Sequence, residues 1–172
     1  EKLNINVEDV SIGMGSDKRI GSRFLRAGPA YGGSCFPKDT RAILNTANEI
    51  KSDLSLIKSV IKSNENRSKI LIQRIFKILN GKLKNKRICF LGVTFKANTD
   101  DMRESSSLKI IPALSKKGAL ITYYDPTGQK KEFNKIKNVQ FKPSIKTACE
   151  NSDLIIIHTE WNDFKSINYK KI

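Results

Sequence analysis

The chain has 172 residues, 38% hydrophobic and 28% charged, and its 32 Lys and Arg against 17 Asp and Glu leave a formal net charge of +15. That length favours one domain, or a compact domain with a helical extension, and the apolar share is enough for a buried core, which excludes global disorder. No run approaches the ~18 apolar residues of a membrane span. The start Glu1-Lys2-Leu3-Asn4 has no apolar segment behind its charge, so neither a membrane partner nor secretion is expected.

Taken in chain order, the first periodic segment is 39–50, where Ala42, Ile43, Ala47 and Ile50 recur at helical spacing and Pro37 is acceptable near the first turn. A longer helix is predicted over 54–79, with Ile57, Ile61, Ile70, Leu71, Ile75, Ile78 and Leu79 forming much of its apolar face and Gly81 as its stop. At 1.5 Å per residue it would run roughly 40 Å, more than a small core needs, so it is expected to pack against another domain or chain. After the lysine-rich connection 82–86 the pattern becomes α/β. Strands are predicted at 88–93, 119–124, 139–141 (the weaker one) and 153–159, and helices at 105–117 and 144–150. This succession predicts a mostly parallel sheet with helices on its faces. Ligands in such sheets bind at the carboxyl ends of strands, which singles out 92–103, Asp125-Pro126 and Thr159-Glu160-Trp161.

The positive charges are mostly lysines, single or in pairs (Lys116-Lys117, Lys130-Lys131, Lys170-Lys171), and form no block with interleaved aromatics. A solvated surface is therefore preferred to a nucleic-acid partner, although a basic nucleic-acid-binding module stays open as a reading of a different class. Three cysteines make an odd count without C-x-x-C spacing, and there is one His, so neither a disulfide framework nor a metal site is expected. Cys89 and Cys149 sit in apolar stretches and read as small buried hydrophobes. Cys35 differs, lying in the turn-rich Tyr31-Gly32-Gly33-Ser34-Cys35-Phe36-Pro37-Lys38-Asp39. At the entrance of a helix, with Lys38 three and Asp39 four positions on, it has the surroundings of a nucleophilic cysteine. Asp39 is placed to orient or deprotonate a water attacking a sulfur-bound carbon. Gly32 and Gly33 would let a substrate approach without Cβ obstruction. In the loop 92–107, Lys96 and Arg103 could meet phosphates and Phe95 could stack on a base, but for the loop taken alone the plainer reading, with Ser105 as the helix N-cap and Arg103 as a solvated side chain, is preferred.

Seven ordered segments resemble the UDP-glucose/GDP-mannose dehydrogenase family: Arg19-Ile20-Gly21, Phe24-Leu25-Arg26-Ala27-Gly28-Pro29, the 31–39 segment around Cys35, Gly92-Val93-Thr94-Phe95-Lys96, Asp100-Asp101-Met102-Arg103-Glu104-Ser105, Tyr124-Asp125-Pro126 and Thr159-Glu160-Trp161. The resemblance implies two successive NAD-dependent oxidations of C6 of UDP-glucose, through a thiohemiacetal and a thioester on Cys35. A sibling reaction on GDP-mannose or a UDP-N-acetylhexosamine is the same-class alternative. It implies Cys35, Lys38 and Asp39 as catalytic residues, and Arg19, Phe24, Leu25, Arg26, Tyr31, Gly32, Phe95 and Lys96 on the substrate. Lys38 and Arg103 would face NAD, and Arg19 would reach a neighbouring subunit's substrate. Ala30 departs from the glycine usual in the family. The implied architecture is a helical central dimerisation region over 1–85 followed by a Rossmann-like UDP-binding domain over 86–172. Both are truncated at the outer ends, with the family's NAD-binding half lying before Glu1. The expected whole is a cytoplasmic homodimer, and the fragment alone is expected to be inactive.

Overall fold

The computed structural model describes residues 3–169. The Glu1-Lys2 start and the Lys170-Lys171 pair read above lie outside the described residues. Three helices, α1 (Val7–Gly15), α2 (Cys35–Glu49) and α3 (Ser55–Ile78), precede an α/β unit made of β1 (Arg87–Leu91), α4 (Ser107–Lys116), β2 (Leu120–Tyr124), β3 (Val139–Phe141), α5 (Ile145–Cys149) and β4 (Leu154–Ile157). The strands form one sheet in the order β3-β2-β1-β4, and every neighbouring pair is parallel. The chain steps outward from β1 to β3 and then returns to the other side of β1. That reversal puts a crevice beyond the carboxyl ends of β1 and β4.

Because successive strand residues point to opposite faces, β1 serves two cores. Ile88 and Phe90 pack with Ile110, Ile111 and Leu114 of α4 and with Ile75 and Leu79 from the end of α3. Cys89 and Leu91 face the other way, onto Ala148, Cys149, Trp161 and Phe164. Cys89 and Cys149 are fully buried with sulfurs 3.7 Å apart, and burial raises both thiols, so they behave as small apolar side chains.

Helix α3 matches its expected span to within a residue, and it stops where Asn80 and Gly81 turn to positive φ (52° and 75°), with the Gly81 N–H donating to the Phe76 carbonyl at 2.9 Å. Its apolar stripe divides, however. Leu71, Ile72, Ile75 and Leu79 join the α/β core, whereas Leu56, Val60, Ile70 and Ile78 are exposed. Helix α1 was not anticipated. It is capped by the Asn6 side chain, which accepts from the Glu8 N–H at 3.0 Å, and it buries no residue, leaving Val7, Val10, Ile12 and Met14 exposed. Nine residues, none of them buried, give no core-facing period to read. At α4 the expected cap is corrected: Ser106 occupies the N-cap, and Ser105 turns inward to donate to the Val93 carbonyl at 2.7 Å.

Candidate active site

Residues 24–34 form no helix or strand, so other elements must satisfy and fix their backbone. The Ser11 hydroxyl donates to the Leu25 carbonyl (3.1 Å), and Arg67 Nε donates to that of Pro29 (3.2 Å). The Asn64 side chain both accepts from the Tyr31 N–H (2.9 Å) and donates to the Tyr31 carbonyl (3.1 Å). The Gly33 N–H donates to the Arg103 carbonyl at 2.8 Å, joining this loop to the one after β1. The Arg41–Glu104 ion pair at 3.0 Å ties α2 to the same loop after β1.

So fixed, the loop forms one wall of an open cleft of about 450 Å³, lined by Phe24, Arg26, Ala30, Tyr31, Gly32 and Phe36, with Phe95 and Lys96 opposite. Six of the residues expected on a substrate thus come together: Phe24, Arg26, Tyr31, Gly32, Phe95 and Lys96. Leu25 and Arg19 do not line it. Leu25 anchors the loop through its carbonyl, and Arg19 sits after α1 with its guanidinium on Asp17 at 2.6 Å. Arg26 reaches Glu160 at 3.8 Å across the cleft's rim, and the Lys96 ammonium lies 5.3 Å from the centre of the Phe95 ring. The two glycines admit a close approach, but of the chain itself. A Cβ on Gly32 would stand 2.6 Å from the Glu104 carbonyl oxygen, and one on Gly33, at φ +82°, would stand 2.9 Å from the Phe95 ring.

Cys35 is the first residue of α2 and is exposed, with its sulfur 3.6 Å from the Ser34 hydroxyl. Pro37 sits in the first turn, where its missing N–H costs nothing. Lys38 and Asp39 follow at i+3 and i+4, one turn along the same face, and pair with each other at 3.4 Å. Arg103 is held by Asp101 through Nε (3.0 Å) and Nη2 (2.9 Å), while its own N–H donates to the same carboxylate. This pairing lowers the Asp101 carboxyl and raises the Arg103 guanidinium, and Cys35 is close enough to add to the latter shift.

Of the strand-end segments singled out by the sequence, Phe95 and Lys96 line the cleft and Glu160 stands at its rim, whereas the Asp125 and Thr159 side chains are used internally. The buried Asp125 carboxylate accepts from the Val93 N–H at 2.8 Å, the Ser105 and Ser107 hydroxyls donate to the Val93 carbonyl, and Thr159 donates to the Thr94 carbonyl at 2.7 Å. Below them His158 is buried between Thr159 Oγ1 (3.1 Å from Nδ1) and Ser106 Oγ (2.7 Å from Nε2). Because the Thr159 hydroxyl proton is spent on Thr94, we assign Nδ1 as the donor and Nε2 as the acceptor, a neutral imidazole. Burial pushes its pKa from 6.5 down to about 4. As pH falls through 6.5 the unfolded chain takes up the proton first. Stability on the order of 3 kcal/mol is therefore present above pH 6.5 and lost by about pH 4. Urea midpoints measured between those values should fall for the wild type and stay flatter for His158→Gln. Equal slopes would contradict this.

Among the described residues no group of three or more His, Cys, Asp or Glu could hold a metal ion, and no helix is long and apolar enough to cross a membrane. Arg41, Asn64 and Arg67 escaped the sequence analysis, and Glu104 entered it only as part of a segment, with no role. Asn64 left one trace, a polar residue one turn beyond Ile61 on the predicted apolar stripe.

Two models of one family match the chain, the UDP-glucose/GDP-mannose dehydrogenase central domain over residues 1–66 and the UDP-binding domain over 89–172. The chain belongs to the UDP-glucose/GDP-mannose dehydrogenase family. It is 43% identical over 174 residues to UDP-glucose 6-dehydrogenase of Rickettsia typhi, covering 100% of this chain and 40% of that protein. With the Bacillus subtilis UDP-glucose 6-dehydrogenase YwqF it shares 44% over 166 residues, covering 96% and 38%. The chain thus spans about 40% of the length of the curated relatives it matches. A UDP-glucose dehydrogenase from the archaeon Pyrobaculum islandicum superposes with a TM-score of 0.90 at 30% identity, over 98% of this chain and 39% of that one. A GDP-mannose dehydrogenase from Pseudomonas aeruginosa, solved as a ternary complex, gives 0.69 at 26%, over 96% and 41%. The family's central helical and UDP-binding parts correspond to the helices and the α/β unit described above, and the cleft lies where the two meet. Ala30, the departure from the family's glycine, is accommodated between the cleft and a small cavity behind Tyr31.

Proposed function

We propose that this chain is the C-terminal portion of a UDP-glucose 6-dehydrogenase, with a helical central dimerisation region over 1–85 and a UDP-binding domain over 86–172. The observation that carries the reading is the cleft of Phe24, Arg26, Tyr31, Gly32, Phe95 and Lys96, adjoining a helix that begins at Cys35 and is bridged to the Arg103 loop. The likeness to UDP-glucose 6-dehydrogenases along the whole chain supports the choice of sugar nucleotide.

The chain's own strand-end crevice does not fit a dinucleotide, because the Val93 N–H that would face its phosphates already donates to the buried Asp125 carboxylate. The exposed Arg103 guanidinium, on the loop bonded to Gly33 two residues before Cys35, does fit the edge of NAD held mainly by a preceding segment, with Lys38 near the nicotinamide. NAD, when bound, accepts one hydride from C6 in each oxidation. Cys35 Sγ adds to the intermediate aldehyde, the carbonyl oxygen taking a proton as the C–S bond forms. Loss of the second hydride and that proton leaves a thioester. Asp39 orients and deprotonates a water that adds to it, and the C–S bond breaks to release UDP-glucuronate and the thiol.

A homodimer is part of the proposal, since Val7, Val10, Ile12 and Met14 of α1 and Leu56 and Val60 of α3 are exposed apolar residues on the helices flanking the site. Arg19 would then reach the partner's substrate. The three free cysteines suit a reducing cytoplasm. The full-length protein is expected to reduce NAD with UDP-glucose at a kcat/KM at least about tenfold above that with GDP-mannose or a UDP-N-acetylhexosamine. A preference for either of the others would overturn the substrate assignment.

A further inference from the structure

Between Phe24 and Gly33 the wall of the cleft has no regular structure, so its shape is set by the side chains that seize its backbone. The Ser11 hydroxyl and Arg67 Nε each donate to one carbonyl of it, and the Arg103 backbone carbonyl accepts from the Gly33 N–H. Asn64 makes two, to the N–H and the carbonyl of the same residue, Tyr31, as a neighbouring β-strand would. Tyr31 lines the cleft on one side and, with Asn64, Ile61 and Ser68, a small cavity on the other. Ile61, Asn64 and Arg67 follow at i, i+3 and i+6 on α3, so one face of that helix backs the wall from Pro29 to Tyr31. Leucine and an ionised aspartate replace the volume of Asn64 approximately, but neither presents an acceptor and a donor together at this reach, as the Asn64 amide does.

We propose that Asn64 is a positioning residue for the nucleotide sugar: by holding both polar groups of the Tyr31 peptide, it fixes the substrate-facing wall in its binding shape. This rests on the reading of the cleft given above. Asn64 touches no substrate itself. Its effect reaches the ligand through Tyr31 and the flanking Ala30 and Gly32.

The test is UDP-glucose binding to the full-length protein by calorimetry, for wild type, Asn64→Leu and Asn64→Asp, at pH 8 and pH 5. At pH 8 both variants are expected to bind roughly tenfold or more weakly. The leucine makes neither bond, and the ionised carboxylate keeps the Tyr31 N–H but repels its carbonyl. At pH 5 a carboxyl facing a carbonyl oxygen takes up a proton and regains the donor. Asn64→Asp should then return to within about threefold of wild type, while Asn64→Leu should not. Arg41, Glu65, Glu104 and Lys109 line the same small cavity and Arg67 lies one turn along α3; their own titration is common to all three proteins and cancels in each ratio, while the cations favour and the two glutamates oppose the ionised form of the introduced carboxyl, so its recovery is followed stepwise from pH 8 to pH 5. Variants that bind as tightly as wild type at pH 8 would overturn the proposal, and so would Asn64→Asp failing to recover at pH 5, which would make Asn64 a packing residue. Wild-type protein that does not bind UDP-glucose would instead overturn the nucleotide-sugar reading, and the positioning role would fall with it.

Discussion

Cys35→Ser in the full-length protein is expected to lower UDP-glucuronate release by about 10³-fold or more, the scale on which loss of a covalent nucleophile acts, with UDP-glucose affinity held within about twofold. A hydroxyl is a far weaker nucleophile than a thiol toward the aldehyde, so the second oxidation should stall while the first can still occur. The substitution should cost little stability, because Cys35 is exposed and its sulfur lies against the Ser34 hydroxyl at 3.6 Å, a contact that a serine hydroxyl can also make. Cys89 and Cys149 provide an internal control, being buried and resistant to alkylation in the folded protein. One equivalent of iodoacetamide should therefore label Cys35 and abolish acid formation, and UDP-glucose should slow the labelling. Release of UDP-glucuronate by Cys35→Ser at the wild-type rate would end the covalent mechanism.

Gly32→Ala is expected to raise the KM for UDP-glucose roughly tenfold or more and to lower stability by about 1–3 kcal/mol. The added Cβ would meet the Glu104 carbonyl oxygen at 2.6 Å, its carbon at 3.1 Å and Phe95 Cβ at 3.1 Å, and a backbone oxygen cannot rotate away. Relief requires the 31–36 segment to part from the loop after β1. That parting would stretch the Gly33–Arg103 hydrogen bond and the Arg41–Glu104 pair, which together align Cys35 with Arg103. Gly28→Ala is the matched control, since nothing lies within 4 Å of the Cβ it would add. Equal effects of the two substitutions on KM would show that the seam is not what shapes the cleft.

Local periodicity carried much of the fold. The span of α3, the strand at 139–141 and the α/β alternation were legible because an element buried on one face repeats its apolar residues at the pitch of its backbone. The six cleft residues were reachable through ordered motifs, each a short segment whose residue types could be compared as a unit. What escaped was held by contacts across long stretches of chain. Asn64 reaches Tyr31 over 33 residues, Arg41 reaches Glu104 over 63, and Asp125 reaches Val93 over 32. No periodicity encodes such pairs. The strand-end rule pointed to the loop that carries Phe95 and Lys96 and also to Asp125 and Thr159, whose polar groups are taken by the loop after β1. The apolar stripe on α3 was read as one surface, whereas the core takes only Leu71, Ile72, Ile75 and Leu79 from it.

The central claim, that Cys35 carries C6 of UDP-glucose through a second, covalent oxidation, is tested most directly by the ratio of NADH formed to UDP-glucose consumed in the full-length protein and its Cys35→Ser variant. The account predicts two NADH for each UDP-glucose converted to UDP-glucuronate by the wild type, and at most one for the variant, with no acid released. A ratio of two from Cys35→Ser, with UDP-glucuronate as the product, would contradict it.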